Sequence, residues 1–195
     1  ASVIGAFSHF LPRERVMAAS NDAMPAMVFS GRSRRRAGTY VYVETIGGGA
    51  GARFGNDGAD GTHVHITNSS NLPAEALENE YPLVVDEYSL ITDSGGAGAW
   101  RGGMGIARQI RALDDETFCY ASSEGTIIPA DGVFGGGKGA VAHIIRDRGT
   151  AAEQEIPANQ PRLVLAAGQS VRVETPGGGG FGKPEARDVA AIAAD

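Results

Sequence analysis

The chain has 195 residues, 17 Lys+Arg against 23 Asp+Glu for a formal net charge of -6, and 42% hydrophobic content, enough for one large domain with a buried core. The acidic balance argues against nucleic-acid binding, which uses a basic face, and a single cysteine, Cys119, excludes an internal disulfide framework. No apolar run approaches the roughly 18–20 residues of a membrane span, and the start lacks the basic-then-apolar order of a signal peptide, so a cytoplasmic protein with neither membrane nor nucleic-acid partners is expected.

Residues 2 to 19 predict a short helix broken near Pro12. Six arginines stand against Glu14 and Asp22 in the first 40 residues, giving +4 there and -10 over the remainder, and residues 1–38 read as a basic amino-terminal arm. Arg32, Arg34, Arg35 and Arg36 form a basic loop, either a solvated turn or a contact for an acidic partner chain. Thr39 to Ile46 is the strongest strand, with β-branched and aromatic residues at nearly every place, and both of its faces are expected to be covered. A glycine-rich loop from Gly47 to Gly61 then leads into Thr62 to Asn68 (THVHITN), whose alternation predicts a strand with His63, His65 and Thr67 on one face.

Pro73 followed by AEALENE predicts a short helix closed by Pro82. Strands are expected at Leu83 to Ile91, Ile106 to Leu113, Thr117 to Ala121, Ala140 to Ile145, Arg162 to Leu165 and Ser170 to Thr175, with 149 to 161 a surface connection. A terminal helix is expected between Pro184 and Ala194. The fold class is therefore mainly β (α+β), one domain over 1–195, with glycine-rich turns joining short strands and two or three short helices. Glycine is the compositional anomaly: 29 of 195 residues is about twice the usual ~7%. Most lie in four patches, at 47 to 61, 95 to 105, 132 to 139 and 177 to 182, which calls for positive φ or close backbone approach.

The densest polar constellation is GGGAGARFGNDGADGTHVHITN, residues 47 to 68, holding Arg53, Asp57, Asp60, His63, His65 and Asn68. Its glycine-rich loop could present backbone N–H groups to an anion, although it matches neither the P-loop nor the dinucleotide fingerprint. The H-x-H pair with nearby carboxylates has the chemistry for a divalent metal, for acid/base work or substrate contact, or for structural hydrogen bonding. Cys119, in TFCYA, reads as a core thiol, and no G-x-S-x-G elbow supports serine hydrolysis. Trp100 and Arg101, in DSGGAGAWRGGMGI, mark either a strand-to-strand turn or a lid or interface anchor.

Taken together, ETIGGGAGARFGNDGADGTHVHITNSSNLPAEALENEYP, DSGGAGAWRGGMGI and ETPGGGGFGKP resemble, in order and spacing, the carboxy-terminal part of the hydantoinase B/oxoprolinase family. The resemblance implies a subunit of an ATP-dependent cyclic amide hydrolase of the hydantoinase, 5-oxoprolinase or lactamase type. An ATP-dependent ketone carboxylase subunit and a non-catalytic structural subunit are the alternatives. It implies that ATP activates the carbonyl oxygen by phosphorylation before water opens the ring. ATP and a divalent metal (Mg, Mn or Zn) would be held by other chains: an ATPase-type hydantoinase A-like subunit, and a chain supplying the amino-terminal part of the B-type subunit with its Asp/His metal motifs. The chain alone would then be inactive, and Ala1 in place of Met is compatible with a split or processed subunit. Where relatives carry an arginine-rich stretch, Ser122 to Asp131 has no arginine, which weakens a phosphate or partner contact there. Carried over residue by residue, His63, His65 and Asp60 are the catalytic candidates, with Gly48, Gly49, Arg53, Asn68, Trp100 and Arg101 facing a small cyclic amide or ketone substrate or a neighbouring chain; no metal ligand is assigned in this chain.

Overall fold

A computed structural model describes residues 2–21, 24–64, 67, 69–158 and 162–195. Nine strands form two antiparallel sheets. The first orders its four strands β2-β1-β5-β8, and the second its five as β3-β4-β9-β6-β7. The first contains β1 (Ala26–Ser33), β2 (Gly38–Thr45), β5 (Thr117–Ser122) and β8 (Leu163–Leu165). The second contains β3 (Leu83–Leu90), β4 (Ile106–Ala112), β6 (His143–Arg146), β7 (Gln154–Glu155) and β9 (Ser170–Glu174). The helices are short: α1 (Ser2–Phe7), α2 (Ala74–Glu80) and α3 (Val189–Ala194), with single 3₁₀ turns at Arg13–Arg15 and Pro184–Ala186.

Alternation assigns the inner faces. Met27 and Phe29 of β1, Cys119 of β5 and Leu165 of β8 meet Ile106 and Ile110 of β4 and Val171 and Val173 of β9 in one apolar cluster. Between the sheets lies a buried ion pair: Arg108 of β4 donates from Nε to Glu44 Oε1 of β2 at 2.7 Å. The second Glu44 oxygen accepts from the Tyr42 hydroxyl at 2.6 Å and from Asn71 Nδ2 at 3.0 Å. Helix α2 starts at Pro73 and buries Leu77, and it ends where Pro82 cannot continue it. Asp188 caps α3 by accepting from the Ala190 amide at 2.8 Å.

The structure departs from expectation in definite places. Residues 26–33, inside the anticipated amino-terminal arm, form β1, which lies between β2 and β5. Arg32 ends up in β1 and the rest of the basic loop forms the β1–β2 hairpin turn, where two of its charges are met within the chain: Arg34 pairs with Asp115 at 2.7 Å and Arg36 with Glu80 at 2.8 Å. Strand β2 has one open face, because Val41 and Val43 are exposed while Tyr42 and Glu44 are buried. Within the anticipated strand over Thr62 to Asn68, Thr62 bridges to Gly48 and the Thr67 amide donates to the Val64 carbonyl. Its His65, Ile66 and Asn68 lie outside the described residues.

Candidate functional site

The glycine patches are extended segments packed side by side more than they are turns. Along 177–182 the amides donate in rotation: Gly177 to Ala140 O, Gly178 to Gly103 O, Gly179 to Ala19 O, then Gly180 to Gly137 O and Phe181 to Trp100 O. The same neighbouring segment returns every third residue, the signature of an extended helix with three residues per turn. The carbonyls follow suit, those of Pro176 and Gly179 accepting from Gly49 and Ala52. Such a bundle tolerates no side chain at its axis, as in collagen. A Cβ on Gly178 would fall on the Ala50 carbonyl oxygen, and one on Gly102 on the Gly178 carbonyl oxygen.

This packing consumes the backbone donors of the loop. Gly48 N donates to Thr62 O, Gly49 N to Pro176 O, Gly58 N to Arg101 O and Gly61 N to Met104 O. These amides are therefore not presented to an anion, which corrects the expectation of an anion cradle at this loop. Gly48 and Gly49 are fully packed, the first against Asn21 and the second against the Gly103 backbone.

The polar residues at the bundle's edge form a chain of ion pairs. Arg101 Nη1 donates to Asp60 Oδ1 at 2.8 Å and its Nε to Asp195 Oδ1 at 3.0 Å. Arg187 donates to both oxygens of Asp57 at 2.9 Å and to Asp195 Oδ2 at 2.8 Å. The Arg101 amide donates to Asp57 Oδ1 and the Met104 amide to Asp60 Oδ1. The hydrogen bond from Arg187 holds the Asp57 carboxyl below the ordinary range against the opposing effect of burial. At Asp60 burial pushes upward, but the Arg101 hydrogen bond, the Met104 amide and the Arg101 charge outweigh it and the net direction is down. The two carboxylates thus order the turn leading to His63. Arg187 and Asp195 were not anticipated, since only the fold brings residue 187 to residue 57.

His63 sits just past this turn, with Nε2 buried and without a hydrogen-bond partner among the described residues. A buried ring nitrogen without a partner calls for an explanation, of which an unfilled ligand position is one. Arg53 lies at a tight turn closed by reciprocal bonds between Arg53 and Asn56, and is exposed. Trp100 stacks on Phe54 at 4.9 Å and Phe181 at 5.5 Å, and Arg13 lies over the Phe54, Phe134 and Phe181 rings. His65 and Asn68 lie outside the described residues. Among the described residues no group of three His, Cys, Asp or Glu side chains could hold a metal ion, and Asp57 and Asp60 are committed to arginines. Cys119 is inert, its thiol pushed up to about 12 by burial. No helix among the described residues is long and apolar enough to cross a membrane.

The strand order, the glycine bundle and the loop carrying His63 define a recurrent architecture. The chain belongs to the hydantoinase B/oxoprolinase family, whose model matches residues 1–184. It is 41% identical over 196 residues to an uncharacterised protein of Methanocaldococcus jannaschii, covering 99% of this chain and 32% of that one. It is 36% identical over 148 residues to a 5-oxoprolinase of Pestalotiopsis fici, covering 74% of this chain and 12% of the relative. The crystal structure of an ATP-dependent caprolactamase from Pseudomonas jessenii superposes with a TM-score of 0.78 at 27% identity, covering 97% of this chain and 34% of that one. The chain therefore spans between 12% and 34% of the length of these proteins.

Proposed function

We propose that the chain is part of an ATP-dependent cyclic amide hydrolase, where it builds a wall of the substrate chamber and an interface with the remaining subunits. The observation that carries this reading is the likeness to the caprolactamase across 97% of the chain. The similarity to a 5-oxoprolinase points to the same bond, a ring amide. Both relatives are named for amides, which favours hydrolysis over ketone carboxylation.

An amide resists attack by water, and phosphorylation of its oxygen by ATP makes the carbon electrophilic: water adds there, the C–N bond breaks as the ring nitrogen takes up a proton, and a second water hydrolyses the resulting acyl phosphate to carboxylate and phosphate. No group of three candidate metal ligands gathers among the described residues, and ATP and the metal are assigned to partners: an ATPase-type A-like subunit and the polypeptide corresponding to the amino-terminal part of a B-type subunit. In this reading His63, with His65 and Asn68 next in sequence, takes a proton from the attacking water and gives one to the departing ring nitrogen. Asp60, through Arg101, positions the turn that carries it. Gly48 and Gly49 keep the loop close to the bundle, while Arg53 and Trp100 lie toward a neighbouring chain.

The test is to isolate the assembled complex from its own source and measure ring opening of hydantoins, 5-oxoproline and lactams, with phosphate release. ATP-dependent opening of one class is expected. Bicarbonate-dependent carboxylation of a ketone would instead select the carboxylase, and assembly without either activity would leave a structural subunit. In the active complex His63→Ala lowers kcat by about a hundredfold or more if the imidazole moves a proton; unchanged kcat with lowered stability refutes that role.

A further inference from the structure

The outward faces of the two sheets differ in kind. An antiparallel sheet with one solvated face alternates apolar-in with polar-out, and the five-stranded sheet does so: Arg111 pairs with Asp86 at 2.9 Å, and Arg172 pairs with Glu87 and Glu174. The four-stranded sheet does not. Its outward positions include Val28 on β1, Val41 and Val43 on β2, Phe118 and Tyr120 on β5, and Val164 on β8, with the polar Ser30, Arg32, Thr39, Thr45 and Ser122 interspersed or toward the ends. Register aligns them in two rows across the strands, Val43 beside Val28 beside Tyr120, and Val41 beside Ser30 beside Phe118 beside Val164. Val41 and Val43 retain 64% and 61% of their full exposure, and Val164 48%.

Between the rows lies a depression floored by Val28, Ser30, Phe118 and Tyr120, with Arg162 at its edge and its guanidinium 3.7 Å from the centre of the Phe118 ring. Arg32 continues the outward row of β1 and is exposed. The face is thus apolar at its centre and basic at two places on its margin. A contiguous exposed apolar patch with a polar rim is the mark of an interaction surface.

We propose that this face is the docking surface for the polypeptide that makes up the other two thirds of the relatives' length. In the Methanocaldococcus relative nearly the whole of this chain corresponds to 32% of the protein, and in the caprolactamase to 34%. In both, therefore, a body about twice this size accompanies the fold. Obligate interfaces resemble a domain core cut in half, with an apolar centre, and this face has that character. Arg32 and Arg162 require acidic residues on the incoming surface. A second copy of this chain is disfavoured, because a two-fold interface would set two basic margins against the same apolar patch. The proposal rests on family membership and deepens the subunit reading above.

The experiment combines the full chain with that polypeptide from the same source, supplied separately, and reads complex formation by sedimentation. Val41→Glu, Val43→Glu and Val164→Lys are compared with Gln109→Glu on the five-stranded sheet. The wild type forms a 1:1 complex, which Gln109→Glu leaves intact. The three β2 and β8 variants weaken it by about a hundredfold, the effect of burying an unpaired charge, while their circular dichroism and melting temperature stay those of the wild-type chain. Failure of the wild-type chain to bind, unchanged binding by all three variants, or a homodimer that Val43→Glu dissociates would each overturn the proposal. A complex that forms normally and still lacks ATP-dependent amide hydrolysis once the ATPase-type subunit is added would refute the functional reading and leave the docking surface standing.

Discussion

Glu44→Gln tests the link between the two sheets. The substitution preserves shape and removes one charge, leaving Arg108, only 1% exposed, without its counter-ion. It also places an amide where the Glu44 carboxylate now accepts from Arg108 at 2.7 Å, Tyr42 at 2.6 Å and Asn71 at 3.0 Å. Breaking a buried pair by removing one partner costs about 3–5 kcal/mol. For a domain of this size each kcal/mol shifts the melting temperature by roughly 2–4 °C, so a fall of roughly 6–20 °C is expected by calorimetry. Burial first, and then the hydrogen bond to Glu44, hold the Tyr42 phenol above its ordinary range, so it stays a donor throughout the accessible pH span. The double variant Glu44→Gln/Arg108→Met removes the orphaned charge and should recover much of the loss, because an apolar replacement of a buried pair is often neutral. A single variant within about 1 kcal/mol of wild type, or a double variant no better than the single, would show that the pair is already hydrated and refute the reasoning.

Other outcomes follow from the same structure. Gly178→Ala drives a methyl into the Ala50 carbonyl and should cost about 3 kcal/mol, the upper end of overpacking, since backbone must move; Gly5→Ala, with nothing near its Cβ position, should be neutral in the same urea titration. Asp57 and Asp60 have lowered folded pKa values, so the stability they add is complete above the unfolded value of about 3.9 and is lost as pH falls through the folded values. The double variant Asp57→Asn/Asp60→Asn should therefore flatten the urea midpoint against pH below about pH 4, and an unchanged slope would assign the acid sensitivity to other groups. Cys119, with its thiol raised to about 12, should resist alkylation at neutral pH in the native chain and react at once in urea; rapid native labelling would mean that β5 opens locally.

Strands β2 to β5 and β9 were legible because their Val, Ile, Tyr and Thr runs stand between turn residues. Strand β1 was not, since AMVFSGRS carries a glycine and runs straight into arginines that read as a loop. The alternation of THVHITN has the period of a strand, and nothing in the sequence reports that Thr62 pairs with Gly48 of the glycine-rich loop. The glycine patches signalled close approach, and that signal was sound; their mutual arrangement was hidden because a three-residue rotation of hydrogen-bond partners leaves no trace in spacing. The loop carrying His63 was found as a polar constellation. The commitment of Asp57 to Arg187, 130 positions away, is purely tertiary, and so is the pairing of Glu44 with Arg108.

The rotation of partners along 177–182 also bears on how the chain reaches its native state. The central segment follows every one of its neighbours in chain order, namely 18–21, 49–52, 94–104 and 131–140. During synthesis those four segments emerge first and have no axis to gather round. The amides of Ala52, Gly96, Trp100 and Val133 donate to carbonyls of residues 178–181, so these bonds form only once 177–182 arrives, in a late step across long sequence separations. Loop-closure entropy makes such steps slow, so this nascent chain should be exposed to mispairing for longer than its length suggests, and it has most to gain from a chaperone, or from a companion subunit already folded beside it.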